Sequence, residues 1–368
     1  MRLERIKYEN FRNHRLSAFV PEEGINLIYG RNGSGKTSIL EGIHYCALTK
    51  GFVSATDGEC LLFSSDYFLL DSSFQGGSGY GLCVKITYKK EKEKQISVNN
   101  SDIKPFSRHI GTIPCITFSP PEIVIVNGAP AERRRFIDNT ISQTNRRYLD
   151  DLLSYRRVLQ QRNALLAQLN ERNIRNDGML SIWTENLSRL AASIVHARVL
   201  FLRAFYDQFR ELYAQLSLNE DPSLIYQCSL GKISEELSIE ELYDRIFKKY
   251  EETEKHEILR AQTLSGPHRD DLLFLINGKE IKKYASQGQL RTFLIALKLS
   301  QHRFFYEATG EKPICLLDDI FSELDESRTH DIFSILETCG QTIITSTEKK
   351  DRKNVAAFSV ESMKIKSE

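Results

Sequence analysis

Three regimes of hydrophobic patterning follow one another along the chain. In the first, residues 2–10 read as a strand. Ile25-Asn26-Leu27-Ile28-Tyr29 is a short, mostly apolar run of the kind a buried strand carries. Ile39, Leu40, Ile43, Ala47 and Leu48 then recur at helical spacing. Residues 67–70, 80–89 and 94–98 look like strands, with alternation clearest at Leu82, Val84 and Ile86. Residues 113–118 predict another, ended by Pro120-Pro121. A twisted, mixed β region is expected.

The second regime starts near residue 130. Asn127-Gly128-Ala129-Pro130 is a turn, and Pro130 suits the first position of a helix. Tyr148, Leu152, Tyr155, Leu159, Arg162, Leu166 and Leu169 step by four and three, a heptad seam holding one arginine. Asn176-Asp177-Gly178 breaks it, and Leu180, Trp183, Leu187, Leu190, Ile194, Ala197 and Phe201 resume the rhythm. Two such helices predict an antiparallel hairpin. Helix is expected to about residue 260, interrupted by a strand at Leu224-Tyr226-Cys228-Leu230. In the third regime β character returns: Leu272–Ile276, the turn Asn277-Gly278 and Lys279–Ile281 read as a hairpin.

Between the first strand and the first helix stands Gly30-Arg31-Asn32-Gly33-Ser34-Gly35-Lys36-Thr37. It fits G-x-x-x-x-G-K-[ST], the phosphate-binding loop, and the strand–loop–helix context is the one that motif requires. Backbone amides line a nest for phosphate oxygens. Lys36 brings a cation to the outer phosphates, and the Thr37 hydroxyl can ligate Mg²⁺. Arg12, in Asn10-Phe11-Arg12-Asn13-His14, reads either as a nucleotide contact or as a solvated loop arginine.

Two later stretches carry chemistry. Ser286-Gln287-Gly288-Gln289 precedes an apolar-periodic helix containing Leu290, Leu294 and Leu297. A serine and a glycine at a helix start form a second anion site, or simply a cap. Ile314-Cys315-Leu316-Leu317-Asp318-Asp319 is an apolar strand ending in two carboxylates, with Ser322-Glu323-Leu324-Asp325 just beyond. Asp318 suits Mg²⁺ coordination and Asp319 suits activation of an attacking water. Leu264-Ser265-Gly266-Pro267-His268-Arg269-Asp270-Asp271 has the look of an acid–base cluster, but such dense polar turns are more often structural.

Charge changes the picture only locally. The 368 residues carry a net charge of +1, so the whole chain indicates nothing about nucleic acid. From Ala131 to Arg175, however, ten arginines face five acids, a local +5. Arg133, Arg134, Arg135, Arg146 and Arg147 are either phosphate-backbone contacts or members of a solvated, ion-paired face. The seven cysteines are scattered without a C-x-x-C pair, so spacing suggests neither a disulfide framework nor a zinc site. Met1-Arg2-Leu3-Glu4-Arg5 has no apolar signal core and no run approaches membrane-spanning length, so a cytoplasmic protein is expected.

Phosphate loop, Ser-Gln-Gly-Gln, Leu-Leu-Asp-Asp and Ser-Glu-Leu-Asp, in that order around a helical insertion, resemble an ABC-type ATPase head. The chain is more closely similar to the RecF family. That resemblance is carried by Asn10–Asn13, by Gly128-Ala129-Pro130-Ala131-Glu132-Arg133-Arg134-Arg135-Phe136, by Gln161-Arg162-Asn163, by Ser265–Asp271 and by Ser286–Gln289. It implies an α/β head of two lobes, an ATPase lobe I over residues 1–128 and 262–368 and a helical lobe II over 129–261. It also implies ATP between two subunits, with Ser286, Gly288 and Gln289 of one capping the phosphates held by Gly30 to Thr37 of the other. DNA binding (duplex and single-strand/duplex junctions) by an ATP-dependent homodimer, slow hydrolysis, and work with RecO and RecR to direct RecA onto single-stranded gaps are the implied function. Two departures stand out. Val53 occupies a position where this family commonly has arginine, and no histidine follows Thr342–Thr345, where transporter ATPases carry a switch histidine. Thr345 or Thr347 fills that place. Rival readings are a membrane-transporter ATPase subunit and a structural SMC-type protein. A hairpin turning near residue 176 leaves arms of about 40 residues, roughly 60 Å, too short for a chromosome-scale arm.

Overall fold

The computed structural model describes residues 1–53, 56–172, 178–217, 219–233, 237–321, 326–349, 352–361 and 364–367. It divides into two compact units, Met1–Ile123 with Arg291–Glu368, and Val124–Leu290.

The first unit holds two six-stranded sheets. One is antiparallel, in the order His14–Phe19, Arg2–Phe11, Tyr67–Gln75, Gly81–Lys89, Gln95–Val98, Ser101–Asp102. The other runs Lys364–Ser367, Val355–Glu361, Ile25–Tyr29, Thr342–Ser346, Ile314–Asp318, Cys115–Phe118, and every pairing in it is parallel except that of the two C-terminal strands. Strands Ile314–Asp318 and Thr342–Ser346 lie inside the parallel sheet and are buried almost throughout, the first mostly apolar and the second placing Ile343 and Ile344 between buried threonines. Helix Lys36–Leu48 packs between the sheets. Ile39, Leu40 and Ile43 share one buried cluster with Ile6, Tyr8 and Phe68 from the antiparallel sheet and Ile314, Leu316 and Ile343 from the parallel one.

The second unit is built on helices Arg146–Arg172 and Met179–Leu216. Their cross-contacts run in opposite directions along the chain, from Tyr148 with Arg198 through Asp151 with Ser193 to Arg162 with Thr184. The expected antiparallel hairpin is therefore present, and the expected break at Asn176-Asp177 falls outside the described residues. Helix Ile239–Arg260 packs on the pair and starts with a capping box, Ser238 Oγ accepting from Glu241 N–H and Glu241 from Ser238 N–H.

The arginine in the heptad seam explains itself here. Arg162 is fully buried, and its guanidinium donates to Thr184 Oγ1 (3.1 Å), Thr263 Oγ1 (2.8 Å) and Glu257 Oε2 (2.6 Å). Glu257, also fully buried, accepts Leu264 N–H on its other oxygen at 2.8 Å.

The domain boundary differs from the expectation. Strand Asp271–Ile276 pairs antiparallel with Pro222–Gln227 as well as with Lys279–Glu280. Residues 262–290, assigned from the sequence to the ATPase lobe, thus close a three-stranded sheet within the second unit. A hairpin signal names its own turn but not the third strand that joins it.

The polar turn Leu264–Asp271 is structural. Asp270 is fully buried and accepts from the Tyr226 hydroxyl and from Ser229 N–H. Gly266 sits at φ 119°, where an added Cβ would lie 2.6 Å from the Tyr250 hydroxyl and 2.7 Å from that of Tyr155. The Tyr155 hydroxyl donates to His268 Nδ1 at 2.6 Å, leaving Nε2–H for the Thr263 carbonyl. Burial pushes the His268 imidazole down to about 4. Its folded pKa is below the unfolded value near 6.5, so its contribution is complete above that pH and is lost as pH falls towards 4. The expected loss by pH 5 is on the order of 1–2 kcal/mol. Urea titrations at pH 7.5 and pH 5 check this: the parent should lose more between them than His268→Gln, and equal losses would assign the acid sensitivity to other groups.

Candidate functional site

The parallel sheet aims its loops at one place. Strand Ile25–Tyr29 is bonded on both sides, and Gly30 N–H continues the ladder onto the Ser346 carbonyl at 3.3 Å. The chain then turns through Gly33 (φ 78°) and Gly35 (φ 102°) into helix Lys36–Leu48. A Cβ on Gly35 would stand 2.9 Å from His14 Nε2 and 3.1 Å from the Asn13 amide. His14 is fully buried, with Nε2 3.1 Å from the Gly35 carbonyl and Nδ1 3.0 Å from Ser17 Oγ. It braces the loop from behind. Sequence reading passed over His14, whose only signal was its place beside Asn10–Asn13.

Lys36 is buried, and Nζ donates to the Gly30 and Arg31 carbonyls at 2.7 and 2.9 Å. Burial lowers its pKa, opposed by Asp319 and Asp318. Thr37 Oγ1 donates to Asp318 Oδ1 at 2.8 Å. Thr345 Oγ1 donates to the same oxygen at 2.8 Å and accepts Asp319 N–H at 3.0 Å. One threonine thereby fixes the carboxylate of Asp318 and the backbone of Asp319, which sits at φ 48°. Burial raises the Asp318 pKa, opposed by the bonds from Thr345 and Thr37.

The donor set fits a phosphate chain and a hard cation. Ser34 Oγ and Asn13 Oδ1 are buried without a hydrogen-bond partner among the described residues. The first turn of the helix that follows the loop carries no acid, so no side chain there offsets its positive N-terminal end. Thr37 and Asp318 offer the oxygen ligands that Mg²⁺ selects. Arg31 and Asn32 are exposed at the lip of the loop.

The remaining expected residues divide by unit. Arg12 (φ 53°) donates to the fully buried Glu41 at 2.5 Å and to the Glu59 carbonyl at 3.2 Å. It is a paired residue, not a solvated one. Val53 is exposed, Thr347 is exposed just after strand Thr342–Ser346, and Ser322–Asp325 lie outside the described residues. In the second unit, Ser286 is exposed just before helix Gln287–Thr309. Its Oγ accepts Gln289 N–H at 3.2 Å, and its own N–H donates to Gln289 Oε1 at 2.8 Å. This reciprocal cap holds Ser286 and Gly288 at the helix start, while Gln289 Nε2 reaches Glu220 at 2.7 Å.

The arginine run is mixed. Arg133 is buried, forms a forked pair with Asp271 (2.7 and 2.9 Å) and donates to the Gly128 carbonyl, so it is withdrawn from the expected phosphate-contact set. Arg134 is half-buried on the Asp270 carbonyl at 2.7 Å. Arg135, Arg146 and Arg147 are exposed, the first two beside Glu132 and Asp150.

Comparison with known proteins agrees with this geometry. An AAA domain family matches residues 5–354. The chain is 58% identical over 351 residues to the DNA replication and repair protein RecF of Chlorobium phaeovibrioides, covering 95% of each. It superposes with a TM-score of 0.93, at 32% identity and over 99% and 97% of the two chains, on the recombination mediator protein RecF with ATP of the RecFOR pathway. The Smc head domain from Pyrococcus furiosus shares the fold alone, at 14% identity and a TM-score of 0.57 over 99% and 95% of the chains. With an ABC-type ATPase head fold, the chain belongs to the RecF family of DNA replication and repair proteins.

Proposed function

We propose that this chain is an ATP-dependent DNA-binding clamp of recombinational repair. In this reading it dimerises around Mg-ATP, hydrolyses it slowly, and works with RecO- and RecR-type partners to direct RecA onto single-stranded gaps. The observation that carries it is the cluster of Lys36, Thr37, Asp318, Thr345 and Asp319 around one loop.

Each residue has a task that its position supports. Lys36 exchanges two carbonyls for phosphate oxygens, a stronger, charge-assisted bond. Thr37 and Asp318 hold Mg²⁺, which when bound offsets charge on the outer phosphates. Asp319 takes the proton of the attacking water, its backbone held by Thr345. A threonine at the end of that strand takes no proton at neutral pH, which supports slow turnover. Ser286 of a second subunit, exposed on a preformed helix start, closes the phosphates from the other side.

The SMC-type and transporter readings are weaker. Helix Arg146–Arg172 is 27 residues, about 40 Å, a compact hairpin. Against the transporter reading stand the missing histidine after Thr342–Thr345, the arginine-rich helix and the 58% identity to a RecF protein.

Light scattering with gapped duplex DNA, with and without Mg-ATP, tests the proposal. The parent should dimerise and bind the gap only with nucleotide. Ser286→Arg should still bind ATP yet stay monomeric. Replacing Arg135, Arg146 and Arg147 by alanine should flatten the salt dependence by roughly 0.9 per lost phosphate contact. A parent that stays monomeric in saturating Mg-ATP and DNA would overturn the clamp.

A further inference from the structure

Away from the nucleotide loop, the first unit brings three soft or borderline ligands together. They are His302 on helix Gln287–Thr309, Cys315 on strand Ile314–Asp318, and Cys339, just before strand Thr342–Ser346. One ligand atom from each lies within 4.8 Å of the other two, and all three residues are buried. Their spacing in sequence, 13 and 24 residues, gives no sign of this.

The surroundings are prepared for more than apolar packing. His302 Nε2 is 2.6 Å from the Cys339 carbonyl, an N–H donor there, which leaves the neutral ring one bare nitrogen. The Cys339 thiol reaches the Ile335 carbonyl at 3.4 Å and that of Cys315 the Pro313 carbonyl at only 3.9 Å, both weak bonds. Thr342 pairs with Cys315 across the parallel ladder. It is fully buried, and its Oγ1 has no hydrogen-bond partner among the described residues. An orphan hydroxyl beside a thiol becomes a donor once that thiol is a thiolate.

We propose that His302, Cys315 and Cys339 bind a borderline-soft divalent cation of the Zn²⁺ class. The spacing fits a cation: with Zn–S near 2.3 Å and Zn–N near 2.0–2.1 Å, tetrahedral ligand atoms stand roughly 3.5–3.8 Å apart, inside the 4.8 Å within which these three already lie. Charge favours a divalent ion. Binding releases the two thiol protons, and the +2 cation with two thiolates and a neutral imidazole is a neutral cluster, which a buried site tolerates. A monovalent soft ion would leave an uncompensated negative charge. Mg²⁺ prefers oxygen donors, so this site and the one at Thr37 and Asp318 are chemically separate. Filled, it clips the strand that ends in Asp318 to its neighbouring strand and to the helix beside it.

The test uses the full chain, stripped with chelator under reductant and titrated with Co²⁺ in excess Mg²⁺. One equivalent should give a thiolate-to-cobalt charge-transfer band in the near ultraviolet and tetrahedral d–d bands, both erased by Zn²⁺. Cys339→Ser and His302→Gln, checked for fold by circular dichroism and for ATP binding, should lose the band. Thr342→Val should keep it but bind Zn²⁺ about 10–100-fold more weakly. No charge-transfer band in the parent, or an unchanged band in both ligand variants, would overturn the site. A parent that oxidises to a mass two hydrogens lower, with no metal taken up under reductant, would assign the pair to a disulfide instead.

Discussion

Asp319→Asn should lower ATP turnover about 10²–10⁴-fold, the usual worth of a general base, and leave Mg-ATP binding intact. The variant is clean for structural reasons. Asp319 sits at φ 48°, a left-handed conformation that asparagine adopts as readily as aspartate. The bond that positions it comes from its backbone N–H to Thr345 Oγ1, so it survives the change. Asp318 keeps its bonds from Thr37 and Thr345. Removing the carboxylate removes the proton acceptor together with its Coulombic interactions with Lys36 and Asp318. Phosphate release under saturating Mg-ATP gives the rate, and calorimetry gives the affinity. A variant hydrolysing at the parent rate would move the base elsewhere. One that loses binding would give Asp319 a part in holding the nucleotide.

Glu257→Gln should destabilise the helical unit by about 3–5 kcal/mol, the cost of stranding one member of a buried ion pair. Arg162 and Glu257 are both fully buried, joined at 2.6 Å, and the Tyr250 ring lies 5.0 Å from the guanidinium carbon. The amide keeps the shape and removes the charge that compensates the arginine. Arg162→Leu with Glu257→Leu should recover much of the loss, because the penalty belongs to the unpaired charge. Trp183, the only tryptophan, adjoins the Thr184 that Arg162 also bonds, so its fluorescence in urea reads this region directly. A loss under about 1 kcal/mol would mean that water or a neighbour compensates Arg162.

Local features were the legible ones. The phosphate loop, its flanking strand and helix, the heptad hairpin and the hairpin turn at Asn277-Gly278 each declare themselves within a short window, because turn chemistry and side-chain periodicity are local. Arg162 was visible as an anomaly in its seam, but its partner Glu257 was not, being 95 residues away. Arg133 illustrates the converse. Three adjacent arginines look alike in sequence, yet the helix Pro130–Thr144 turns one of them inward onto Asp271. The strands His14–Phe19, Val355–Glu361 and Lys364–Ser367 were missed. Their hydrophobic alternation is weak, and they exist because neighbouring strands accept their backbone bonds. His14 acts on Gly35, 21 residues on, and Thr345, marked in the sequence only as standing in the switch-histidine position, acts on Asp318, 27 residues back; no short window exposes either contact.

The position of Ile25–Tyr29 has a consequence for how the molecule is made. Among the described residues that strand pairs only with Thr342–Ser346 and Val355–Glu361, more than 300 residues later. At about 5–20 residues per second, a ribosome takes roughly 15–60 s to deliver those partners. The unit Val124–Leu290 is contiguous and mostly helical, so it can close while synthesis continues. Throughout that interval the apolar strand beside the phosphate loop has no sheet to join. A nascent chain therefore carries a finished helical unit while its nucleotide site is unfinished, and nucleotide-dependent behaviour becomes available only after Thr342–Ser346 and Val355–Glu361 have been translated.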